Sequence, residues 1–211
     1  MNHHVNFVHC TQDGDHLVAY MARVSNPKGQ TKDFTKLIRY LIKHKHWSPF
    51  EMVNMCVEIN TTRSIASQIL RHRSFSFQEF SQRYADTTEL GDISLPNLRR
   101  QDLKNRQNSI DDLDPNCIEI WNRLIEDQFD KAQALYLVLL DGGVAKECAR
   151  EVLPLATPTR LYMNGSIRSW IHYCDLRCDE ATQLEHRQIA DQCKELVKEH
   201  FPSIYDAWQT N

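Results

Sequence analysis

Between Thr31 and Lys45 the apolar residues Phe34, Leu37, Ile38, Leu41 and Ile42 recur at i, i+3, i+4, i+7 and i+8. That spacing predicts a helix with one stripe facing a core, ended by the "SPF" at Ser48–Phe50. From Glu51 to Asn60 the period changes, with Val53, Met55, Val57 and Ile59 alternating with Asn54, Cys56, Glu58 and Asn60, as in a half-buried strand. "TTRSIASQILRHR", Thr61–Arg73, lacks Gly and Pro and reads as a helix. Its three- and four-residue spacings place Gln68, Arg71 and His72 on one face, and the chain then continues as a loop. The polar segment from about Asp86 to Asp114 has little periodicity and reads as a surface excursion, with Arg99, Arg100, Lys104 and Arg106 as a solvated face.

Ile118, Trp121, Ile125, Ala132, Leu135 and Leu139 mark a long helix, closed by Gly142 and Gly143, a pair suited to a left-handed C-cap. Val144–Leu153 predicts a short helix stopped by Pro154. "TRLYMN", Thr159–Asn164, is β-prone, and "SIRSWIHYCDLR", Ser166–Arg177, can run as a helix that brings Arg168, His172 and Arg177 towards one region. Thr182 with Glu185 forms a capping box for a last helix to about His200. The fold class expected is α+β, with helix predominating.

With 211 residues, 41% hydrophobic and 25% charged, the chain can bury one sizeable core, and a single domain over 1–211 is expected. The net charge of −3 argues against a general nucleic-acid or membrane partner, since both need broad positive fields. Seven cysteines (Cys10, Cys56, Cys117, Cys148, Cys174, Cys178 and Cys193) are scattered, and their odd number cannot all pair within one chain. Reduced thiols in the cytoplasm, or in a host's cytoplasm were the gene viral, fit best. The start "MNHHVNFVHC" lacks the basic and apolar regions of a signal peptide, and no apolar run reaches membrane-spanning length.

Local charge departs from the global balance in "RHRSFSFQEFSQRY", Arg71–Tyr84, where Arg71, Arg73 and Arg83 against Glu79 give 3 − 1 = +2 among four aromatic residues. Arginine recognises phosphates and planar polar groups through paired donors. Arg71, Arg73, Arg83, Arg150, Arg168 and Arg177 are candidates, although surface ion pairing is the usual fate of an arginine. Phe75, Phe77 and Phe80 can equally be ordinary core. No GxGxxG, GxxxxGK[ST] or GxSxG pattern occurs. His172, Cys174 and Cys178 lack a second metal-ligand pair at finger-like spacing, so no metal site is expected, and nothing singles out one thiol as a nucleophile.

Arg71-His72-Arg73 followed by seven residues and Ser81 resembles the signature of the flavin-dependent thymidylate synthases. The resemblance extends, in order, through "ARVSN" (Ala22–Asn26), "KHKHWSPFE" (Lys43–Glu51), "SQILRHRSFSFQEFSQRY" (Ser67–Tyr84), "AREVLPL" (Ala149–Leu155), "RSWIHYCDLR" (Arg168–Arg177) and the "DEATQLE" that follows. It implies an antiparallel sheet with helices and a homotetramer whose FAD and dUMP sites lie at subunit interfaces. The implied reaction is methylation of dUMP to dTMP, with 5,10-methylenetetrahydrofolate as carbon donor and NADPH, through FAD, as hydride source, releasing tetrahydrofolate.

Residue by residue, the resemblance implies FAD contacts at Ser48, Arg71, His72, Arg73, Glu79, Ser166, Ile167, Arg168 and His172, with His46 and Glu51 beside them. Ser166 and His172 stand where many relatives have asparagine. It implies dUMP contacts at Gln68, Ile69, Leu70 and Arg71, at Glu79, Phe80, Ser81, Gln82 and Arg83, and at Arg150, with Ser81 a polar contact rather than a nucleophile. Arg177 corresponds to the catalytic arginine that promotes ionisation of uracil at N3. Two rival readings are a single-strand nucleic-acid module built on the Arg71–Tyr84 aromatics and cations, and a cysteine-dependent synthase or other transferase.

Overall fold

The computed structural model describes residues 3–26, 29–30 and 32–210. Thr31, where the first predicted helix begins, and Met1 and Asn2 of the N-terminal reading lie outside them. Four antiparallel strands form the main sheet: β1 (His4–Cys10), β2 (Asn54–Thr62), β3 (Ser76–Glu79) and β6 (Pro158–Ser166), in the order β1-β2-β6-β3. A minor ribbon pairs β4 (Arg100–Gln101) with β5 (Ser109–Ile110) inside the 86–114 excursion. The helices are α1 (Gly14–Ala22), α2 (Phe34–Lys43), α3 (Arg63–Ile69), α4 (Pro115–Asp141), α5 (Lys146–Ala149), α6 (Ile167–Arg177), α7 (Leu184–His200) and α8 (Pro202–Gln209).

The period-two pattern of β2 becomes two different faces. Met55, Val57 and Ile59 are buried and pair in register with the Leu161–Gly165 part of β6, while Glu58 on the other face gathers hydrogen bonds from Asn6, Asn60 and Tyr162. One apolar cluster joins the buried face to α2, α3, α6, α7 and α8, the arrangement expected of an antiparallel sheet covered on one side. Asp15 of α1 ties in the last helix by accepting hydrogen bonds from Ser203 N (2.7 Å) and Ile204 N (3.2 Å).

Two strands run into helices without a loop. β2 ends at Thr62 and α3 begins at Arg63; β6 ends at Ser166 and α6 begins at Ile167. Because Thr62 pairs with Pro158 and Ser166 with Asn54, the two helices start from opposite ends of the same ribbon. Trp170 Nε1 donates to the Met55 carbonyl at 3.0 Å, pinning α6 to β2. Phe75 then lies edge-on to Trp170, with ring centres 4.8 Å apart, and to Tyr173, 5.9 Å apart.

Several local expectations are corrected. The helix read over Thr61–Arg73 stops at Ile69, so Arg71 and His72 leave it through a turn, with His72 N donating to the Ile69 carbonyl. The residues read as loop include β3, which pairs with β6. α2 ends before Pro49 is reached, and Lys45 turns the chain with φ of 56°. Val144–Leu153 yields only the four-residue α5 followed by a 3-10 turn. No capping box starts α7: Gln183 precedes it without a side-chain cap, and the Thr182 hydroxyl donates to the Leu176 carbonyl instead. Arg99 is no solvated residue, since its side chain is 10% exposed and paired with Glu185. Of the two closing glycines, only Gly143 takes a positive φ, 81°.

Gly165 couples the sheet to the Arg71–Tyr84 segment. A Cβ at this position would lie 2.4 Å from Phe75 Cδ1, so the ring occupies space that a side chain would need. Gly165→Ala is expected to displace Phe75 and destabilise the fold by about 1–3 kcal/mol, read as a lower midpoint in urea unfolding. An unchanged midpoint would show that this close approach carries no weight.

Candidate active site

Three places hold the residues singled out in the sequence. The first is where the turn after α3 meets the end of α6. Arg177 Nε donates to His72 Nε2 at 2.9 Å, and the His72 ring stands edge-on to Tyr173 with centres 4.9 Å apart. Behind them His186 of α7, with no exposed surface, contacts the Tyr173 hydroxyl through Nε2 at 3.1 Å and Gln68 Oε1 through Nδ1 at 3.3 Å. Gln68 Nε2 donates to Gln183 Oε1 at 2.7 Å. Ile69 is buried core and Leu70 ends α3, while Arg71 and Arg73 are exposed. Among the described residues the terminal nitrogens of Arg177 make no hydrogen bond, so the guanidinium is held at one edge and open at the other.

The second place is a cavity of about 510 Å³ beside α6, lined by Trp47, Glu51, Ser74, Arg168, Ser169, Ile171, His172 and Asp175. Ser166 donates its hydroxyl to Glu51 and caps α6 by accepting from Ser169 N. Arg168 pairs with the other Glu51 oxygen. The Ser166 hydrogen bond, with Arg168 beside it, holds the Glu51 carboxyl below the usual range. Trp47 and Ile171 supply apolar wall, and Arg168, His172 and Ser169 supply donors. That set fits part of a flat ring system bearing hydrogen-bond acceptors and phosphates. Ser48 lies exposed in the adjacent 3-10 turn, and Ile167 is fully buried in the core.

The third place is a cavity of about 230 Å³ lined by Arg63, Gln82, Arg150, Glu151, Leu153, Pro154, Leu155 and Thr157. Gln82 is 7% exposed, yet its Nε2 has no hydrogen-bond partner among the described residues. A buried donor without a partner costs free energy, so the Gln82 amide, in a cavity also lined by Arg63 (paired with Glu79) and Arg150 (beside Glu151), suits an anionic oxygen. Glu79, at the end of β3, accepts from Arg63 and from the Thr159 hydroxyl. Phe80 donates its backbone N–H to the Arg160 carbonyl, Ser81 is exposed at a turn, and Arg83 pairs with Glu147. The sequence did not single out Arg63, Tyr173, Gln183 or His186, whose spacing carries no short motif.

Burial, and then the positive charge of Arg177, lower the pKa of His72 to about 4. Burial, again with Arg177 next, lowers that of His186 to about 3. Both rings are therefore neutral near pH 7, and only a neutral His72 can accept from Arg177. A histidine that folding keeps neutral leaves stability intact well above pH 6.5. It removes stability as the pH falls from 6.5 towards the folded value, because the unfolded chain then binds more protons. His186 alone is expected to cost about 2 kcal/mol at pH 5 relative to pH 7.5. His186→Asn should flatten that part of the stability profile, and an unaltered profile would contradict it.

Comparisons with known proteins identify the family. Residues 6–203 match the family model described as "Thymidylate synthase complementing protein". A flavin-dependent thymidylate synthase of Synechocystis is 54% identical over 188 residues, covering 89% of this chain and 86% of that protein. A probable flavin-dependent thymidylate synthase of Paramecium bursaria Chlorella virus 1 is 50% identical over 196 residues, covering 92% and 89%. Among solved structures, the UMP/dUMP methylase PolB of Streptomyces cacaoi bound with 5-Br dUMP superposes with a TM-score of 0.85 at 26% identity, covering 99% of this chain and 95% of that one. The match along nearly the whole chain, with the α+β fold and the antiparallel sheet in common, places this protein in the flavin-dependent thymidylate synthase family.

Proposed function

We propose that this chain makes dTMP from dUMP, with 5,10-methylenetetrahydrofolate as carbon donor and NADPH, through bound FAD, as hydride source, leaving tetrahydrofolate as the second product. The observation that carries the reading is the Arg177 guanidinium, fixed at Nε by neutral His72 and, among the described residues, free at its terminal nitrogens. A preorganised cation of this kind stabilises the anion formed when uracil loses its N3 proton, which makes C5 electron-rich. Arg177 need accept no proton to do so. When bound, FAD would supply the hydride that it takes from NADPH.

Arg168 and His172 would hold FAD from the larger cavity, with the exposed Ser48, Arg71 and Arg73 as further contacts and Ser166 keeping Glu51 and α6 in place. Arg150, Arg63 and the unpartnered amide of Gln82 would bind the phosphate of dUMP. Arg83 would join them after leaving its exposed pair with Glu147. Gln68 and Arg177 would face the base. Folate is assigned no residue.

Arg177 and Gln68 lie at one place and Gln82 and Arg150 at another, which suits a substrate site completed by a neighbouring subunit. The 27-residue α4 supports assembly too. It buries only Ala132 and Tyr136, while Ile120, Trp121, Leu124, Leu135 and Val138 are exposed, Val138 at 66%. A stripe of that kind is what a homotetramer would cover.

The product ratio tests the chemistry. Incubated with dUMP, methylenetetrahydrofolate, FAD and NADPH under low oxygen, the protein is expected to release one tetrahydrofolate and oxidise one NADPH for each dTMP. Dihydrofolate formed in step with dTMP would overturn the reading. In the same assay Arg177→Ala should keep FAD and lose at least about a hundredfold in turnover; wild-type turnover at saturating dUMP would remove its catalytic role. For assembly, light scattering should give a tetramer for the native chain and smaller, FAD-poor species for Leu124→Asp. A native monomer with full activity would refute the shared site.

A further inference from the structure

His186 is fully buried, is not needed for the reaction as described above, and ends a chain of hydrogen bonds whose direction can be derived. The derivation starts at the Glu185 carboxylate, which can only accept, and which takes both terminal nitrogens of Arg99 at 2.7 and 3.0 Å. Gln183 Nε2 donates to the same carboxylate at 2.9 Å, so the Gln183 amide must turn its Oε1 the other way. That oxygen accepts from Gln68 Nε2 at 2.7 Å. Gln68 Oε1 therefore faces His186 Nδ1, 3.3 Å away. An amide oxygen cannot donate, so the proton of the neutral ring is on Nδ1. His186 Nε2 is then an acceptor and takes the hydroxyl proton of Tyr173 at 3.1 Å.

The relay leaves Gln68 with one uncommitted group. Its oxygen is held by His186 and one of its two amide hydrogens by Gln183, while the second hydrogen has no partner among the described residues. We propose that His186 is a positioning residue for substrate binding: as the Nδ1–H tautomer it fixes the amide of Gln68 so that the remaining N–H is presented to an acceptor oxygen of the nucleotide. With His186 unable to donate, the Gln68 oxygen loses its partner and Gln183 alone holds the amide, so the remaining N–H is no longer fixed towards the nucleotide. The proposal rests on the reading of Gln68 as a dUMP contact, and it adds the residue that anchors the oxygen side of that amide.

Two variants separate the ends of the ring. His186→Asn keeps a donor near the position of Nδ1, whereas His186→Gln reaches towards Tyr173 and gives up the donor to Gln68. With FAD-loaded enzyme, His186→Gln is expected to raise the KM for dUMP about tenfold with kcat nearly unchanged, and His186→Asn to restore it to within about twofold. In a Gln68→Leu background His186→Gln should add nothing further. A purely structural role predicts none of this pattern. Unchanged KM in His186→Gln, or full additivity with Gln68→Leu, would overturn the proposal. If His186→Gln does not fold, Gln183→Leu breaks the relay from its other side and should raise KM in the same way.

Nitrogen NMR of 15N-histidine-labelled wild-type protein gives a readout free of catalysis. His186 should show a neutral, Nδ1-protonated ring down to about pH 5, and an Nε2-protonated ring would overturn the relay. Wild-type protein that binds no dUMP would refute the proposed substrate and the role of the relay in binding it, while the tautomer would still decide the hydrogen bond itself.

Discussion

The contact on which the site depends is the ring of Phe75 lying against the backbone of Gly165. Phe75 stands four residues after Arg71 and packs edge-on to Trp170 and Tyr173. Trp170 is in turn bonded to the backbone of β2. Aromatic pairs of this kind contribute beyond their buried area, and here they hold a segment rich in charge against the sheet. Without that anchor, three arginines in a row of exposed turns would have no reason to keep one position relative to α6.

The same packing decides the electrostatics. His72 is half-buried because Tyr173 lies against it, and burial is the main cause of its low pKa. A neutral imidazole is the acceptor that Arg177 requires, so the hydrophobic cluster sets the protonation state and that state orients the cation. Each step is short in space and long in sequence, from residue 72 to residue 177. Charge placed this way is useful to chemistry because its orientation costs no reorganisation during reaction.

Three donors left unmatched among the described residues lie where ligand contacts are proposed. The Gln82 amide, the free edge of Arg177 and the second amide hydrogen of Gln68 are three donors, and the proposed substrate brings acceptor oxygens on its phosphate, sugar and base. The exposed stripe of α4 is the apolar counterpart, the surface that the proposed assembly would cover.

The sequence by itself determined the elements whose signal is local. The apolar stripe of α2, the alternation of β2, the long α4 and the strand-to-helix run of β6 and α6 all follow from the spacing of neighbouring residues. The Arg71–Ser81 motif likewise pointed to the family that the whole-chain match establishes. What local spacing could not decide was partnership. Thr182 and Glu185 had the form of a capping box, but Glu185 found a better partner in Arg99, 86 residues away, and Thr182 turned to Leu176. β1 and β3 carry weak patterns and became strands by pairing with β2 and β6. His186 carries no short motif or spacing that singles it out in the sequence. Tertiary packing buried it between Tyr173 and Gln68, because hydrogen-bond satisfaction in a dry interior depends on which groups meet across the fold and not on their order along the chain.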